Sequence, residues 1–410
     1  MRVSTVMMFE RSVSSMNRQQ GAFMEVGEQI ASGKRVVRPS DDPQAASRAV
    51  GVSQSLATNA QQSDSRVTVR NSLSQEESVL DSVSDALTRA KELMIQAGNG
   101  TLSDADRQSQ ASELRGVYEA LLGQANSTDG NGSYLFGGYK DSSAPFVKVE
   151  DNDSDPKKVY VEYDGSGAVR QQKVDSSRMM DVGNTGKEVF QSVAAGAGYL
   201  AKAGDGNTGT LTFTGPQVTD TTADGYGDEY AISFSDNGDG TFGYTISGPS
   251  VSKTGTYDGT SATLEFGGVR LTLEGTPEPS DTLAVGPASE MKPDVFRTLE
   301  NMLSALENPL DSDADKAAFA NTLSTSSREL DNALDNVLTV RASVGARLNE
   351  LDTLDTVGGD RKISYTQTQS DLIDLDYTTA ISDYVLRQVG LQASQKAFVD
   401  LQGTSLFDLM

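Results

Sequence analysis

The chain contains no cysteine and no histidine. Their absence removes disulfides, thiolate zinc sites, cysteine nucleophiles, histidine bases and the HExxH kind of metal site together. Most common hydrolase chemistry is therefore closed to it, and no catalytic constellation is expected. Basic charge is also scarce: 34 Lys and Arg stand against 58 Asp and Glu, for a formal charge of -24. A phosphate backbone or an anionic lipid surface would repel such a chain, so neither nucleic acid nor a membrane is an expected partner. No run approaches the roughly 18 apolar residues of a membrane span. The opening, MRVSTVMMFERS, has a short apolar patch before Glu10 and Arg11, without the cleavage site of a secretory signal peptide. Lack of cysteine suits an exported protein that needs no disulfides.

What the chain does have is helical pattern at both ends. Val6, Phe9, Val13, Met16, Gln20, Phe23, Gly27 and Ile30 recur by three and four, which places them on one stripe of a helix. A second series runs Val69, Leu73, Glu76, Leu80, Val83, Leu87, Ala90, Met94 and Ala97, with one polar member. Asn99-Gly100 ends that helix, and Ser103-Asp104 can start another through Ala111, Leu114, Tyr118, Leu121 and Ala125, so the pair predicts a helical hairpin. Helical pattern returns at Phe296, Leu299, Leu303 and Leu306, continues after Pro309 through Leu323, Leu330, Leu334, Val337, Val344 and Leu351, and ends in Ile381, Tyr384, Gln388, Leu391, Gln395, Phe398 and Gln402.

Between these arms, residues 141–285 hold 21 of the 39 glycines, and runs such as TLTFTG, EYAISFS, TFGYTIS and VRLTLEG alternate with turn clusters. This third of the chain is expected to be an inserted domain of short strands. Its local motifs carry little chemistry. Gly204-Asp205-Gly206-Asn207-Thr208-Gly209 fits GxGxxG, but a Thr-rich strand follows where a dinucleotide site needs a helix. Asp151, Asp153, Asp155 and Glu162 fall on the spacing of a calcium loop, with Pro156 where the sharp turn calls for Gly; a solvated acidic loop is the plainer reading. Asp236-Asn237-Gly238-Asp239-Gly240 reads as a hairpin turn. No cofactor is expected.

A helical stripe is ordinarily the core face of a bundle, but the terminal stripes are poor in apolar side chains. Residues 6–30 cannot offset the entropy of ordering them by burying so few large side chains, so these ends need partners. Gln20, Gln388, Gln395 and Gln402 interrupt both terminal stripes; either they restrict register at a seam, or they face solvent on slightly rotated helices. The one sharp break is VVRPSDDPQAAS. Pro39 disfavours helix at Arg38, and Asp42 can cap a helix whose first residue is Pro43, where the missing N–H costs nothing.

That break and its surroundings resemble the bacterial flagellin superfamily. SGKRVVRPSDDPQAAS is similar to the segment where the terminal helix of the inner tube passes into the next shell, and RAKELMIQAGNGTLSDADR to the superfamily's helical-hairpin turn. SYLFGGYKDSSAPF resembles the exit from its N-terminal arm; RASVGARLNELD and DLDYTTAISDYVLRQVGLQASQKAFVDLQGTSLFDLM resemble its returning arm. The opening MRVSTVMMFERSVSSMNRQQ is closer to junction members of the superfamily than to filament flagellins, which usually open with an Asn-rich stretch and end in a Leu-Leu-Arg tail. The likeness covers residues 1–146 and 290–410.

The resemblance implies a mainly α fold with an inserted β domain, its N- and C-terminal arms forming a long antiparallel helical bundle or coiled coil. Residues 1–42 and 371–410 would be terminal helices of an inner coiled-coil layer, disordered when free; 43–140 and 286–370 a helical bundle domain; and 141–285 a Gly-rich β domain. Implied partners are copies of itself in a ring, hook-associated protein 1, flagellin and a flagellar export chaperone. The implied location is the extracellular flagellum, reached without a cleaved signal peptide. Val6, Phe9, Val13, Met16 and Phe23, with Ile381, Tyr384, Leu391 and Phe398, are then the expected subunit-packing residues. Pro39, Asp41, Asp42 and Pro43 would set the turn between layers. Two other readings fit the residues: a filament flagellin, or a secreted adhesin binding glycans through residues 141–285.

Overall fold

The computed structural model describes residues 5–100, 102–151 and 158–403. Two compact units divide the chain at Ser65/Arg66 and Asp352/Thr353, the first holding both terminal segments and the second the residues between. These divisions cut two long helices in mid-course.

The terminal unit contains α1 (Thr5–Ser32), the start of α2 (Pro43–Ala97), the end of α7 (Asp313–Ile373) and α8 (Tyr377–Gly403). Within it, Ser53 meets Gln369 and the Asn59 amide donates to the Gly358 carbonyl at 2.9 Å, so α2 and α7 run antiparallel. Helix α1 stops at Gly33, whose φ of 71° is the left-handed cap conformation that favours glycine. A Cβ there would also stand 3.0 Å from the Tyr377 hydroxyl.

The central unit is organised by α2, α3 (Asp104–Ala125), α6 (Val295–Glu307) and α7. Every member of the Val69–Ala97 series is buried, as are Ala111, Leu114, Tyr118, Leu121 and Ala125 of α3 and Phe296, Leu299, Leu303 and Leu306 of α6. The predicted hairpin forms, and Ser103 with Asp106 closes a capping box at the start of α3. Along α2 and α7, Arg70 pairs with Asp352 at 2.7 Å, Glu77 with Arg341 at 2.9 Å, and Lys91 with Asp331, an antiparallel order. Glu76, the polar member of the α2 series, is buried; burial pushes its carboxyl up to about 8, opposed by the Arg347 guanidinium.

Strands fill the middle of the sequence as expected. Hairpins β1 (Phe146–Asp151)/β2 (Lys158–Tyr163) and β3 (Gln171–Asp175)/β4 (Arg178–Asp181), with the short α4 (Gly186–Phe190), precede the larger sheets. Phe146, Phe190 and Phe296 stack with centroids 5.0 to 5.7 Å apart, which ties this stretch to α6. Then come β5 (Tyr199–Ala203), β6 (Thr212–Val218), β7 (Tyr230–Asp236), β8 (Phe242–Ser247), β9 (Ser252–Tyr257), β10 (Ser261–Phe266), β11 (Val269–Glu274) and β12 (Thr282–Pro287), followed by the short α5 (Ala288–Met291).

These eight strands make a five-stranded sheet, β5-β12-β7-β8-β9, and a three-stranded sheet, β10-β11-β6. Strand β5 runs beside β6 and β9 approaches β10, so the sheets meet along both sides around one core of Tyr230, Ile232, Phe266, Leu271 and Val285. Meeting edges leave little bare strand for another chain to pair with. Gly267 and Gly268, at φ 50° and 72°, form the two-residue turn between β10 and β11 that only such residues enter readily.

The GxGxxG segment is the loop from β5 to β6, held by Asp281, which accepts from the Thr208 N–H at 2.8 Å and the Gly209 N–H at 3.1 Å. The Asp236–Gly240 cluster is the β7–β8 turn, with the Asn237 N–H donating to the Thr241 carbonyl at 3.1 Å. Of the calcium-loop residues, Asp153, Asp155 and the Asp151 side chain lie outside the described residues, and Glu162 sits opposite Val147 in the β1–β2 ladder.

Candidate assembly interface

The terminal unit brings α1 and α8 together as an antiparallel pair. The Phe9 and Phe398 rings lie 5.2 Å apart, and those of Phe23 and Tyr384 4.7 Å apart. Between them the Ser394 hydroxyl donates to the Gln19 side-chain carbonyl, and Gly390 lies against that same amide. Val13, Met16 and Leu391 are half-buried; the Val6 side chain lies outside the described residues. In α1 and α8 only Val26 and Ala380 are fully buried hydrophobic residues among those described. The pair therefore has a seam but hardly a core.

Of the two readings of the glutamines, the solvent-facing one holds for those whose side chains are described. Gln20, Gln388 and Gln395 are exposed, the Gln402 side chain lies outside the described residues, and Gln19 occupies the seam instead. Ile381 is 53% exposed, on the side of α8 away from α1, together with Val385, Leu386, Val389 and Val399. Helix α8 thus carries two apolar faces, one turned to α1 and one open. The second face escaped the heptad reading, although the spacing of Ile381, Val385 and Val389 by four could have revealed it.

Both arms break at the same level. The Arg35 N–H donates to the Ile373 carbonyl at 2.8 Å and the Leu375 N–H to the Gly33 carbonyl at 3.1 Å, so the turn after α1 and the turn before α8 pair as short extended segments. The Arg35 guanidinium donates to the Leu372 carbonyl at 2.6 Å and to the Asp42 carboxylate at 3.3 Å. The Asp41 carboxylate accepts from the Val37 and Arg38 N–H groups at 3.2 and 2.7 Å. The Asp42 carboxylate accepts from the Ala45 N–H at 3.0 Å, and α2 begins at Pro43. That N–H bond, and then Arg35, hold the Asp42 carboxyl below its ordinary range. Asp376 caps α8 in the same way, accepting from the Thr378 N–H at 2.9 Å. Sequence reasoning found Asp42 as the cap of α2 but neither Asp376 nor Arg35, whose main partner lies far away in the chain.

Such a site can hold polypeptide. Among the described residues no group of His, Cys, Asp and Glu side chains is placed to bind a metal ion, and no helix is long and apolar enough to cross a membrane.

The family described as bacterial flagellin N-terminal helical region matches residues 3–141. Flagellar hook-associated protein 3 of Escherichia coli is 37% identical over 410 residues, spanning 100% of this chain and 99% of the relative. Among solved structures, flagellar hook-associated protein 3 of Legionella pneumophila superposes with a TM-score of 0.67 at 27% identity, over 78% of this chain and 98% of that one. FlgL of Xanthomonas campestris gives 0.65 at 29% identity, over 78% and 99%. A likeness that runs from one end to the other, through the β-rich middle as well as the helical arms, places this chain in the flagellar hook-associated protein 3 family of the flagellin superfamily.

Proposed function

We propose that the chain joins the flagellar hook to the flagellin filament as a structural subunit, by packing in a helical lattice and without catalysis. Copies pack in a ring through their terminal helices; one side of the ring seats on hook-associated protein 1 and the other offers flagellin a lattice to continue. Such contacts are heterologous, since different surfaces of one subunit meet different neighbours.

The observation that carries this reading is the uncovered apolar face of α8, with Leu386 69% and Val389 58% exposed. A contiguous apolar face left open on a helix that already has a partner marks a further protein contact. Phe9, Val13, Met16 and Phe23 of α1, with Tyr384, Leu391 and Phe398 of α8, form the antiparallel pair that presents it; Val6 is the remaining expected packing residue, and Ile381 belongs to the open face. Pro39, Asp41, Asp42 and Pro43 hold the turn at which the terminal helices leave the rest of the arms. Residues 1–42 and 371–410 are then the layer shared among copies, followed along the chain by the helical segments 43–140 and 286–370 and the β-rich insertion 141–285. Before assembly an export chaperone covers the terminal helices, and the chain leaves the cell through the flagellar export route.

Deletion of the gene tests the role. The expected result is cells with hooks but no filaments, shedding flagellin into the medium, with filaments restored by the intact gene. Normal filaments on the deletion strain would contradict it.

A further inference from the structure

A cleft of about 350 Å³ opens in the central unit between α7, the turn that joins α6 to it and the β5–β6 loop. That loop is the Gly204–Gly209 segment, to which subunit packing gives no role. Along α7, Ala318, Thr322, Thr325 and Glu329 recur by four and three, so one face of the helix supplies the floor, with Ser326 beside them. Leu211, Leu310 and Phe319 add an apolar wall.

The floor has spent donors and kept lone pairs. The Thr325 hydroxyl donates to the Ala201 carbonyl at 2.7 Å, which leaves its oxygen able to accept. The Glu329 carboxylate takes the Thr298 hydroxyl on Oε2 at 2.7 Å, and its other oxygen has no hydrogen bond among the described residues. Ser326, only 2% exposed, has no side-chain hydrogen bond among the described residues either. A buried hydroxyl without a partner, in the lining of a cleft, favours a ligand that completes it. Four charged residues line the cleft, Asp205, Asp315 and Glu329 against Lys202. Asp205, Asp315 and Lys202 are exposed, and Asp315 already accepts from the Ser312 N–H at 2.9 Å. Burial pushes the Glu329 carboxyl up, against the Thr298 hydrogen bond and the charge of Lys202, which makes no ion pair with it among the described residues.

These features select a ligand. An anion would meet three carboxylates. An uncharged polyol would leave the charge of Glu329 uncompensated in a partly buried place. An ammonium supplies the donors that Glu329, Thr325 and Ser326 can accept, and an alkyl stem covers the apolar wall. We propose that the cleft binds a small aliphatic diamine, with one ammonium on Glu329, Thr325 and Ser326, the stem along Leu211, Leu310 and Phe319, and the second ammonium toward Asp205 at the rim. This binding goes beyond the junction role and does not depend on it.

Calorimetric titration of the full chain with putrescine tests it, alongside methyl NMR spectra of the same titration. The expected result is saturable binding, with shifts at the methyls of Leu211, Leu310 and Ala318. Butanediol, the uncharged analogue of equal length, and succinate are expected not to bind. Glu329→Gln should weaken putrescine binding at least about tenfold, equivalent to roughly 1.4 kcal/mol. Lys202→Gln, which removes a like charge from the rim, should strengthen it. Ala318→Leu changes an exposed position on the floor and narrows the cleft, so it should also weaken binding, and it decides the matter if Glu329→Gln does not fold. Each variant counts only if its thermal midpoint shows a folded chain. No binding of putrescine, equal binding of butanediol, shifts confined to methyls outside the cleft, or unchanged affinity in the folded Glu329 or Ala318 variant overturns the proposal.

Discussion

The Phe23 ring of α1 lies 4.7 Å from the Tyr384 ring of α8, inclined by 31°. This contact and its counterpart between Phe9 and Phe398 are the largest features of a seam in which most side chains keep part of their surface in water. Phe23→Ala is expected to remove roughly 1 to 2 kcal/mol of local stability, since an aromatic pair adds to the area it buries. Amide exchange in the assembled state should quicken in α1 and α8 while the α2 core from Val69 to Met94 stays protected.

The open face of α8 makes a different prediction. Leu386→Asp with Val389→Asp changes side chains already exposed, so the thermal midpoint of the free chain should move by no more than about 2 to 4 °C. Filament number per cell, counted by electron microscopy, should nevertheless fall severely. Undiminished filaments would show that the face takes no part in assembly.

Arg35→Ala removes the guanidinium that reaches both Leu372 and Asp42. The turn around Gly33 should then come loose from the turn before α8, seen as faster exchange at Arg35 and Leu375, whose N–H groups donate across the two turns. Acid should act in the same direction. The Asp42 carboxyl is held low in the folded chain, so its contribution is present at neutral pH and is lost as pH falls through and below the ordinary carboxylate range. Arg35→Lys should restore only part of the protection, because an ammonium cannot repeat the forked donation.

Glu76 predicts a pH dependence of opposite sign. Its carboxyl titrates near 8 when folded, chiefly because burial disfavours the charge, and one of its oxygens, Oε1, is buried without a hydrogen-bond partner. The folded state holds a proton that the unfolded chain has already released, so this contribution is whole below about pH 4.5 and is lost as pH rises toward and through 8. The loss is on the order of 4 kcal/mol across that interval. Glu76→Gln should abolish the slope and raise the thermal midpoint at pH 8 more than at pH 5. An equal effect at both pH values would contradict the assignment.

The helical core was legible in the sequence because burial on one side writes its own period. The series from Val69 to Ala97 and from Ala111 to Ala125 could be read directly, and all their members are buried. The seam of α8 was harder to read. Ala380, Gly390 and Ser394 line it together with Tyr384, Leu391 and Phe398, and small residues leave no apolar period. Apolar residues on the other side of the same helix blur the period further. Arg35 offered no signal either, since its partner Leu372 is distant in sequence. In the β-rich middle the strands could be found one by one, but the pairing of β12 with both β5 and β7 depends on closing two sheets around a shared core, and no short stretch encodes that.

Hydrogen exchange on the free chain and on assembled hook–filament structures tests most directly whether α1 and α8 depend on their neighbours. Fast exchange through residues 5–32 and 377–403 in the free chain, slowed at least about a hundredfold on assembly, or roughly 2.7 kcal/mol, is the predicted result. Protection of these helices in the free chain equal to that of Val69 to Met94 would contradict it.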